Sequence, residues 1–330
     1  MHLDLQQKPT LCIFKLLIIK IKYIMHKSTV FLVLFSTGIS LISCGSTQTD
    51  TQIPPDKKIT MNINNMAVTI DGKVGARIIS LKLDTQEMLS SNKVNRGNYG
   101  STLWTGPEAK WRGHGILDTS AFTVKSFAGS DLELKSRNDT ILGFAFTKKF
   151  HASLADTSLV INYTITNISK DTIGVAPWEV TRVITGGLAM FPKASPQDLP
   201  TVNGRYPLLK IQDSIGIIWY PYDTSKVAAQ KLFMYGGEGW AAYIKDGALF
   251  IKKFPSIKPA QAAPGEKNVE AYVSKPKNYL ELENQGVYQV LKSNESLTYE
   301  VKWYLRRLPK GIKAEIGNKA FINYIRKVIK

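Results

Sequence analysis

Residues 101–115 concentrate the side chains that are best suited to bind a polar ligand. They include Trp104, Glu108, Trp111, Arg112 and His114. A tryptophan face carries negative quadrupole charge and suits the weakly positive C–H face of a sugar, while acidic and basic groups can hydrogen-bond its hydroxyls. Glycines and a proline interrupt the segment, which predicts a loop rather than one continuous element. We interpret this loop as a sugar-binding surface; the alternative is a loop that fills one end of a sandwich with its own rings.

The elements that must hold this loop show a period-two pattern from residue 59 onward. Alternating apolar and polar residues, with turn signals between the runs, predict strands at regular spacing. Helical periodicity is absent before the C-terminal tail. The pattern predicts an all-β fold, a large antiparallel β-sandwich over residues 59–309. Predicted strands cover residues 60–70, 77–83, 122–128, 131–136, 144–150, 158–167, 173–184, 214–220, 231–235, 240–244, 248–254, 269–273, 279–283 and 296–305.

Residues 310–330 form a basic C-terminal tail that ends in a predicted short helix. Phe321, Tyr324, Ile325 and Val328 fall on one face at helical spacing, which is typical of an amphipathic helix. Packing of that face against the sandwich is preferred to contact with a membrane.

The first 44 residues carry export signals. A lysine and an apolar run over residues 30–43 are typical of a secretory signal peptide. Residues 41–45, Leu-Ile-Ser-Cys-Gly, resemble a bacterial lipobox, so we expect a lipid on Cys44 that attaches the protein to a membrane. The expected location is the cell envelope, at the outer membrane or the periplasmic face. Met25 is interpreted as the true start, residues 1–24 as an upstream extension and residues 45–58 as a flexible tether; the alternative is one longer apolar anchor over residues 11–42.

Net charge and cysteine content exclude several classes of function. The formal charge is +17, and it falls to +13 without the five lysines and one aspartate of residues 1–43. The remaining basic residues are scattered and no nucleic-acid-binding motif accompanies them, so we expect no nucleic-acid partner. Cys12 and Cys44 leave no pair for a disulfide in the mature chain and no Cys/His metal cluster. We expect no metal and no cofactor, and the sequence leaves the oligomeric state open.

Three segments resemble the galactose mutarotase-like (aldose 1-epimerase-like) proteins. Residues 75–89 are similar to their opening hairpin, residues 162–173 to a central strand that ends in Thr-Asn, and residues 279–297 to their closing pair of strands. The segments STLWTGPEAKW and APWEVTRV look closest to the DUF4380 family of bacterial secreted proteins. The resemblance covers residues 59–309 and implies a β-supersandwich with a sugar-sized groove on one sheet.

The resemblance also implies catalytic candidates. In mutarotases a base takes the proton of the anomeric hydroxyl while an acid protonates the ring oxygen, so that the sugar ring opens and closes. Glu283 matches the position of the base, and Glu281 is expected on the opposite face of the same strand. The family histidine has no counterpart in the matching segment. His114 is the preferred candidate for the acid, whereas His151 is interpreted as structural or exposed.

The segment without the histidine carries three further candidate ligand-binding residues, Trp178, Glu179 and Arg182. Two alternatives stay open for Glu179. It could form a buried ion pair with Arg182, or it could join Glu283 as the carboxylate pair of a glycoside hydrolase, which requires a defined separation of the two groups.

Two functions of different classes follow from these patterns. The preferred one is an exported, lipid-anchored protein that binds a carbohydrate and has no mutarotase activity. The other is an aldose 1-epimerase-like or other carbohydrate-active enzyme that uses Glu283 as its base.

Overall fold

Alternating burial along the chain produces strands almost throughout the computed structural model, which describes residues 58–113, 115–204, 211–222, 230–273 and 279–330. The first ten are β1 (Lys58–Ile63), β2 (Met66–Asp71), β3 (Arg77–Leu83), β4 (Gln86–Glu87), β5 (Ser101–Gly106), β6 (Thr123–Ala128), β7 (Asp131–Lys135), β8 (Phe144–Ser153), β9 (Ser158–Asn167) and β10 (Ile173–Val183). The others are β11 (Leu188–Pro192), β12 (Thr201–Gly204), β13 (Gln212–Ser214), β14 (Ile217–Pro221), β15 (Gln230–Met234), β16 (Trp240–Lys245), β17 (Ala248–Lys253), β18 (Val269–Val273), β19 (Leu280–Gln285), β20 (Gln289–Leu291) and β21 (Ser296–Arg307). Two α-helices are described, α1 (Ile116–Thr119) and α2 (Lys319–Val328).

The strands form two large antiparallel sheets. The 11-stranded sheet has the order β1-β2-β3-β5-β10-β19-β18-β15-β12, with β20 beside β10 and β4 beside β3. The 10-stranded sheet has the order β13-β14-β11-β16-β17-β21-β9-β8-β7-β6. This architecture confirms the predicted all-β sandwich with a short C-terminal helix.

The main core lies between the two sheets. Along β9 the buried side chains Leu159, Ile161, Tyr163 and Ile165 alternate with less buried ones, as expected for a strand with one face on a core. Strands β10 and β19, at the centre of the 11-stranded sheet, are buried on both faces. The side chains on their outer face are therefore also covered by protein, and the candidate site lies on that face.

Helix α2 covers part of the outer face of the 10-stranded sheet. Phe321 and Ile325 are fully buried there in a second cluster with Trp219 and Trp240, and the ring centroids of Phe321 and Trp219 are 6.4 Å apart. The Asn318 side chain caps the helix by accepting a hydrogen bond from the Phe321 amide at 3.2 Å. The apolar face of the tail thus packs on the sandwich, as preferred from the sequence.

Strands β11, β12 and β20 were not predicted, and two further local predictions differ from the structure. Residues 60–70 form two strands rather than one, because Asn64 adopts a φ of 55° and asparagine tolerates the left-handed region that a tight turn needs. Residues 101–106, expected in a loop, form β5, which pairs with β10 in the middle of the sheet. The predicted loop begins only after this strand.

The predicted signal peptide, Cys44 and all but the last residue of the tether lie outside the described residues. Within the ranges that the structure describes, no helix is long and apolar enough to cross a membrane.

Candidate functional site

A cleft of about 230 Å³ opens on the outer face of the 11-stranded sheet. Five neighbouring strands, β5, β10, β19, β18 and β15, form its floor and walls. Side chains two residues apart on a strand share a face, so the strands present their functional groups in rows. The lining residues are Asn98, Trp104, Glu108, Trp111, Trp178, Lys231, Tyr272, Glu281 and Glu283.

Three tryptophans form one side of this cleft and are called here the aromatic wall: Trp104, Trp111 and Trp178. Trp104 and Trp178 are direct cross-strand partners, and their ring centroids lie 5.2 Å apart at 77°. Trp111 follows a 3-10 turn at Glu108–Lys110 and lies against Trp104 with centroids 4.6 Å apart. Edge-to-face and tilted contacts of this kind are favourable for aromatic rings. The wall is therefore fixed by its own packing.

Buried hydrogen bonds orient two of these rings. The indole N–H of Trp178 donates to Glu283 Oε2 at 2.8 Å. The indole N–H of Trp104 donates to Asp118 Oδ2 at 3.2 Å, and helix α1 holds Asp118 against Arg77 through a 2.7 Å ion pair. A buried indole N–H needs such a partner, so these carboxylates determine which ring face points into the cleft.

Lys231 lies at the centre of a group of glutamates. Its Nζ is 2.7 Å from Glu108 Oε2, 2.7 Å from Glu270 Oε2 and 3.8 Å from Glu283 Oε2. The register aligns Glu283 with Glu270 across β19 and β18, which brings both carboxyl groups to the same row. Lys231 also lies over the ring of Trp178, 5.0 Å from its centroid, and so links the carboxylates to the aromatic wall.

Burial shifts the protonation of these groups strongly. Desolvation raises the pKa of Glu283 to about 7; Lys231 opposes this rise, while Glu281 and Glu108 add to it. Desolvation also raises the pKa of Glu270 well above its usual value, and the charge of Glu283 adds to the shift. For Lys231, burial lowers the pKa, but the negative charges of Glu283 and Glu270 outweigh burial, so its pKa is raised. Near neutral pH Lys231 is therefore charged, whereas Glu283 and Glu270 together carry less than two negative charges.

Arg182 lies at the other end of the cleft floor, beneath the lining residues. Its Nε donates to Glu281 Oε1 at 2.7 Å, and its guanidinium carbon lies 4.8 Å from the centroid of Trp104. Arg182 is fully buried. It supports Glu281 and Trp104 from below rather than lining the cleft itself.

The structure corrects the expectation that Glu179 lines the groove. Glu179 is one residue from Trp178 and therefore points to the opposite face of β10, between the sheets. There its Oε1 accepts a 2.7 Å hydrogen bond from the Tyr163 hydroxyl, and its Oε2 lies 2.9 Å from Lys252 Nζ. Glu179 thus neither pairs with Arg182 nor stands beside Glu283 in the cleft, and both alternatives for it are wrong.

The expectation that Glu281 and Glu283 occupy opposite faces is also wrong. They are two residues apart on β19, and strand residues at that spacing share a face. Both line the cleft. The cleft therefore contains more carboxylates than the sequence analysis predicted.

The remaining candidates are spread over three places. Glu108 and Trp111 line the cleft, whereas Arg112 is exposed on the loop beyond them and is absent from the lining. His114 falls outside the described residues. His151 is exposed on the 10-stranded sheet, where its Nδ1 lies 2.9 Å from Asp131 Oδ1, in accordance with its structural interpretation.

Sequence reasoning missed Lys231, Tyr272 and Asn98. The first two lie on strands that were predicted, and their alternation with Leu232 and Ala271, which belong to the core, would have placed them on the outer face. What the sequence does not contain is the strand order that brings β15 and β18 beside β19. Among the described residues, no three His, Cys, Asp or Glu side chains are arranged to hold a metal ion.

Comparison with known proteins identifies the family. Residues 57–306 match the family model described as Domain of unknown function (DUF4380). The chain belongs to this family. No curated protein matches the chain in sequence.

Solved structures share the fold of this DUF4380 member. A galactose mutarotase-like protein from Lactobacillus casei has a TM-score of 0.53 at 13% identity, over 76% of this chain and 100% of its own. A galactose mutarotase related enzyme from Lactobacillus acidophilus has a TM-score of 0.53 at 13% identity, over 78% and 100%. A TPR-domain protein from Parabacteroides distasonis has a TM-score of 0.56 at 10% identity, over 78% of this chain and 49% of its own. The fold of the DUF4380 chain is therefore galactose mutarotase-like.

Proposed function

We propose that this protein binds a carbohydrate in the cleft on its 11-stranded sheet. The observation that carries the proposal is the aromatic wall facing a row of carboxylates and Lys231. Ring faces suit the C–H surfaces of a sugar, and the charged groups can hydrogen-bond its hydroxyls. The galactose mutarotase-like fold supports the same class of ligand.

The size of the cleft favours a small ligand. Pockets for drug-sized molecules measure roughly 300–1,000 Å³, whereas this cleft measures about 230 Å³. A single sugar unit, or the terminal unit of a longer glycan that extends into solvent, is the ligand that fits this volume best.

We propose further that the protein binds without accelerating anomer exchange. Ring opening needs an acid to protonate the ring oxygen as well as a base. No histidine lies among the described residues that line the cleft, and the matching segment carries Trp178 and Glu179 instead. Since a general acid contributes about 10²–10⁴-fold, its loss would leave little activity above the spontaneous reaction.

One observation favours catalysis as the second candidate function. The pKa of Glu283 is raised to about 7, and a general base works best when its pKa lies near the operating pH. Lys231 Nζ, 3.8 Å from Glu283, is a cation that can stabilise negative charge on a reacting sugar. An epimerase-like or other carbohydrate-active enzyme with Glu283 as base is therefore the alternative.

Anchoring to the cell envelope through a lipid on Cys44 is part of the proposal. Its support is the lipobox-like segment after an apolar run. In that location the cleft would meet carbohydrates outside the cytoplasm.

Two measurements on the full-length protein separate these functions. Tryptophan-fluorescence titration with a panel of monosaccharides and oligosaccharides should show saturable binding. Polarimetry of freshly dissolved α-glucose and α-galactose should show mutarotation at the spontaneous rate. Strong acceleration that disappears in Glu283→Gln would establish the enzyme instead, and an absence of binding across the panel would refute both functions.

A further inference from the structure

The titratable groups around the cleft are mainly acidic, whereas the molecule as a whole is basic. Four glutamates, Glu108, Glu270, Glu281 and Glu283, face two cations, Lys231 and Arg182, among the residues that the structure describes around the cleft. The whole chain has a formal charge of +17. An excess of acidic groups in an aromatic-lined cleft of a basic protein requires an explanation.

Among the residues that the structure describes, the central carboxyls, Glu270 and Glu283, share a single lysine as their ion-pair partner. Arg182 contacts Glu281 through Nε, and Lys231 makes 2.7 Å contacts with Glu108 and Glu270 but lies 3.8 Å from Glu283. Glu283 receives the Trp178 N–H on Oε2, whereas its buried Oε1 has no hydrogen-bond partner among the described residues. Glu283 is 1% exposed and lines the cleft. A ligand that enters here meets an unsatisfied acceptor that water reaches poorly.

The raised pKa values of the cleft carboxyls agree with this shortage of positive charge. Burial raises the pKa of both Glu283 and Glu270 because the available cations do not compensate for the lost hydration of two carboxylates. A positive group brought by a ligand would lower both pKa values and release protons. Glu283 and Glu270 therefore hold protons that a bound cation would displace.

The aromatic wall also suits a cation. The face of an indole ring attracts an ammonium group within about 6 Å of its centroid. Two rings of the wall already make such contacts, Trp178 with Lys231 at 5.0 Å and Trp104 with Arg182 at 4.8 Å. Trp111, the partly exposed ring at the opening, is placed where a ligand would enter.

Resting on the carbohydrate-binding function proposed above, we propose that the sugar bound in this cleft is an amino sugar, with a free protonated amino group directed at Glu283. A neutral hydroxyl satisfies the geometry of Oε1 but supplies no charge. An ammonium group supplies both the donor and the missing positive charge, and its hydrogen bond to a carboxylate is stronger than that of a hydroxyl.

Calorimetric titration of the full-length protein with matched sugar pairs tests the proposal. Glucosamine, galactosamine and mannosamine are compared with glucose, galactose and mannose, which differ from them only by a hydroxyl in place of the amine. At least one amino sugar should bind about tenfold more tightly than its partner, the scale of one charged hydrogen bond. N-acetylglucosamine, which is uncharged, should lose any preference that glucosamine shows.

The outcomes distinguish this inference from the proposed function. Equal affinity within every pair overturns the amino-sugar inference and leaves carbohydrate binding intact. An absence of binding by all sugars refutes carbohydrate binding, and the inference with it. Binding of amino sugars alone supports both.

A matched pair of variants locates the preference. Glu283→Gln keeps the size of the side chain and should bring the amino-to-neutral affinity ratio close to one. Glu300→Gln removes the same charge from an exposed position on β21 and should leave the ratio unchanged; an equal fall in both variants would overturn the inference.

Proton release gives a readout that requires no variant. Titration of the wild-type protein near neutral pH, in two buffers with different ionisation enthalpies, should show protons released on binding of the amino sugar beyond those that the free amine itself exchanges. The neutral partner should release none. Equal proton exchange for both sugars would contradict direct contact between the amine and the carboxyl pair.

Discussion

Trp178 and Glu283 couple the aromatic wall of the cleft to its acidic centre. The 2.8 Å hydrogen bond between them occupies Oε2 of the carboxylate, while Oε1 has no hydrogen-bond partner among the described residues. The sequence allowed both residues to be named as candidates, because each lies in a segment that resembles the mutarotase-like proteins. It did not allow their contact to be predicted, since that depends on the register between β10 and β19.

The stability of the protein should fall as the pH rises through the pKa of Glu283. Burial raises this pKa to about 7, whereas an unfolded chain holds it near about 4.3. Between these values the folded state keeps a proton that the unfolded state has lost, so the stabilising contribution is full below about pH 4 and is lost as the pH rises through about 7. The loss is on the order of 3 kcal/mol, and Glu270 acts in the same direction.

Urea unfolding near pH 5 and near pH 8 measures this dependence. Glu283→Gln, which stays neutral at both values, should lose much of the difference and should be more stable than the wild type at the higher pH. Glu300→Gln is the control and should follow the wild type. Identical pH dependence in the wild type and Glu283→Gln would contradict a raised pKa at this residue. The groups that face Glu283 in the folded state are Trp178, Arg182, Lys231, Glu108, Glu270 and Glu281.

Trp111→Ala should weaken carbohydrate binding without unfolding the protein. The ring is partly exposed at the cleft opening and packs on Trp104. By analogy with stacking of a nucleic-acid base on an aromatic side chain, the loss should be about 1–3 kcal/mol of binding free energy. Calorimetry measures it, with Phe127→Ala as the control because Phe127 is an exposed ring away from the cleft. An affinity equal to that of the wild type would assign Trp111 a role in packing alone.

At the scale of elements, the sequence predicted strands well where one face is solvated. The bounds of β3 and β9 coincide with the predicted ones, because apolar and polar residues alternate clearly along them. Strand β5 was missed because its Ser-Thr-Leu-Trp-Thr-Gly sequence is buried on both faces and shows no alternation. The outer face of β5 carries Trp104, which lines the cleft, so the apolar–polar alternation that would reveal the strand is absent.

The two sheets are also joined by a buried ion pair, and breaking it should be costly. Lys252 on β17 and Glu179 on β10 are both fully buried, with Nζ and Oε2 2.9 Å apart. Lys252→Met should cost about 3–5 kcal/mol of unfolding free energy because Glu179 is left charged in the core. The double change Glu179→Gln with Lys252→Met should restore much of that loss, since a neutral side chain remains to accept the hydrogen bond from Tyr163.

Urea unfolding of the single and double variants measures this coupling. Lys302→Met is the matched control, because Lys302 forms a partly exposed ion pair with Asp156 at 3.5 Å, and such pairs contribute about 0–1 kcal/mol. Similar losses of unfolding free energy for Lys252→Met and Lys302→Met would show that burial does not increase the contribution of the Lys252–Glu179 ion pair to stability.

At the scale of the whole molecule, the predicted lipid anchor can be tested by mass. Protein expressed from Met25 and extracted from membranes should begin at Cys44 and carry the added mass of lipid, because a lipobox directs cleavage before the modified cysteine. Cys44→Ala should remain unlipidated. A mature chain that begins upstream of Cys44, or a lipidated Cys44→Ala protein, would refute the anchor.

The sequence was sufficient to predict some properties of the whole molecule but not others. Period-two patterning was sufficient for the sandwich, since it reflects local alternation that every strand repeats. The acidic character of the cleft could not be inferred from a chain of formal charge +17. It arises because β18 and β19 lie side by side and bring Glu270 beside Glu281 and Glu283, while the turn after β5 adds Glu108.

That strand order has a consequence for folding kinetics. On one side of β10, Trp178 pairs with Trp104 of β5; on the other side, Val180 of β10 pairs with Glu283 of β19. The cleft is therefore built from contacts between distant parts of the chain. Such non-local pairings require long loops to close before they stabilise anything, and β-proteins of this kind fold in about milliseconds to seconds. During synthesis Trp178 emerges well before Glu283, the carboxylate to which its indole N–H donates. The cleft would therefore be complete only when β19 has joined the sheet.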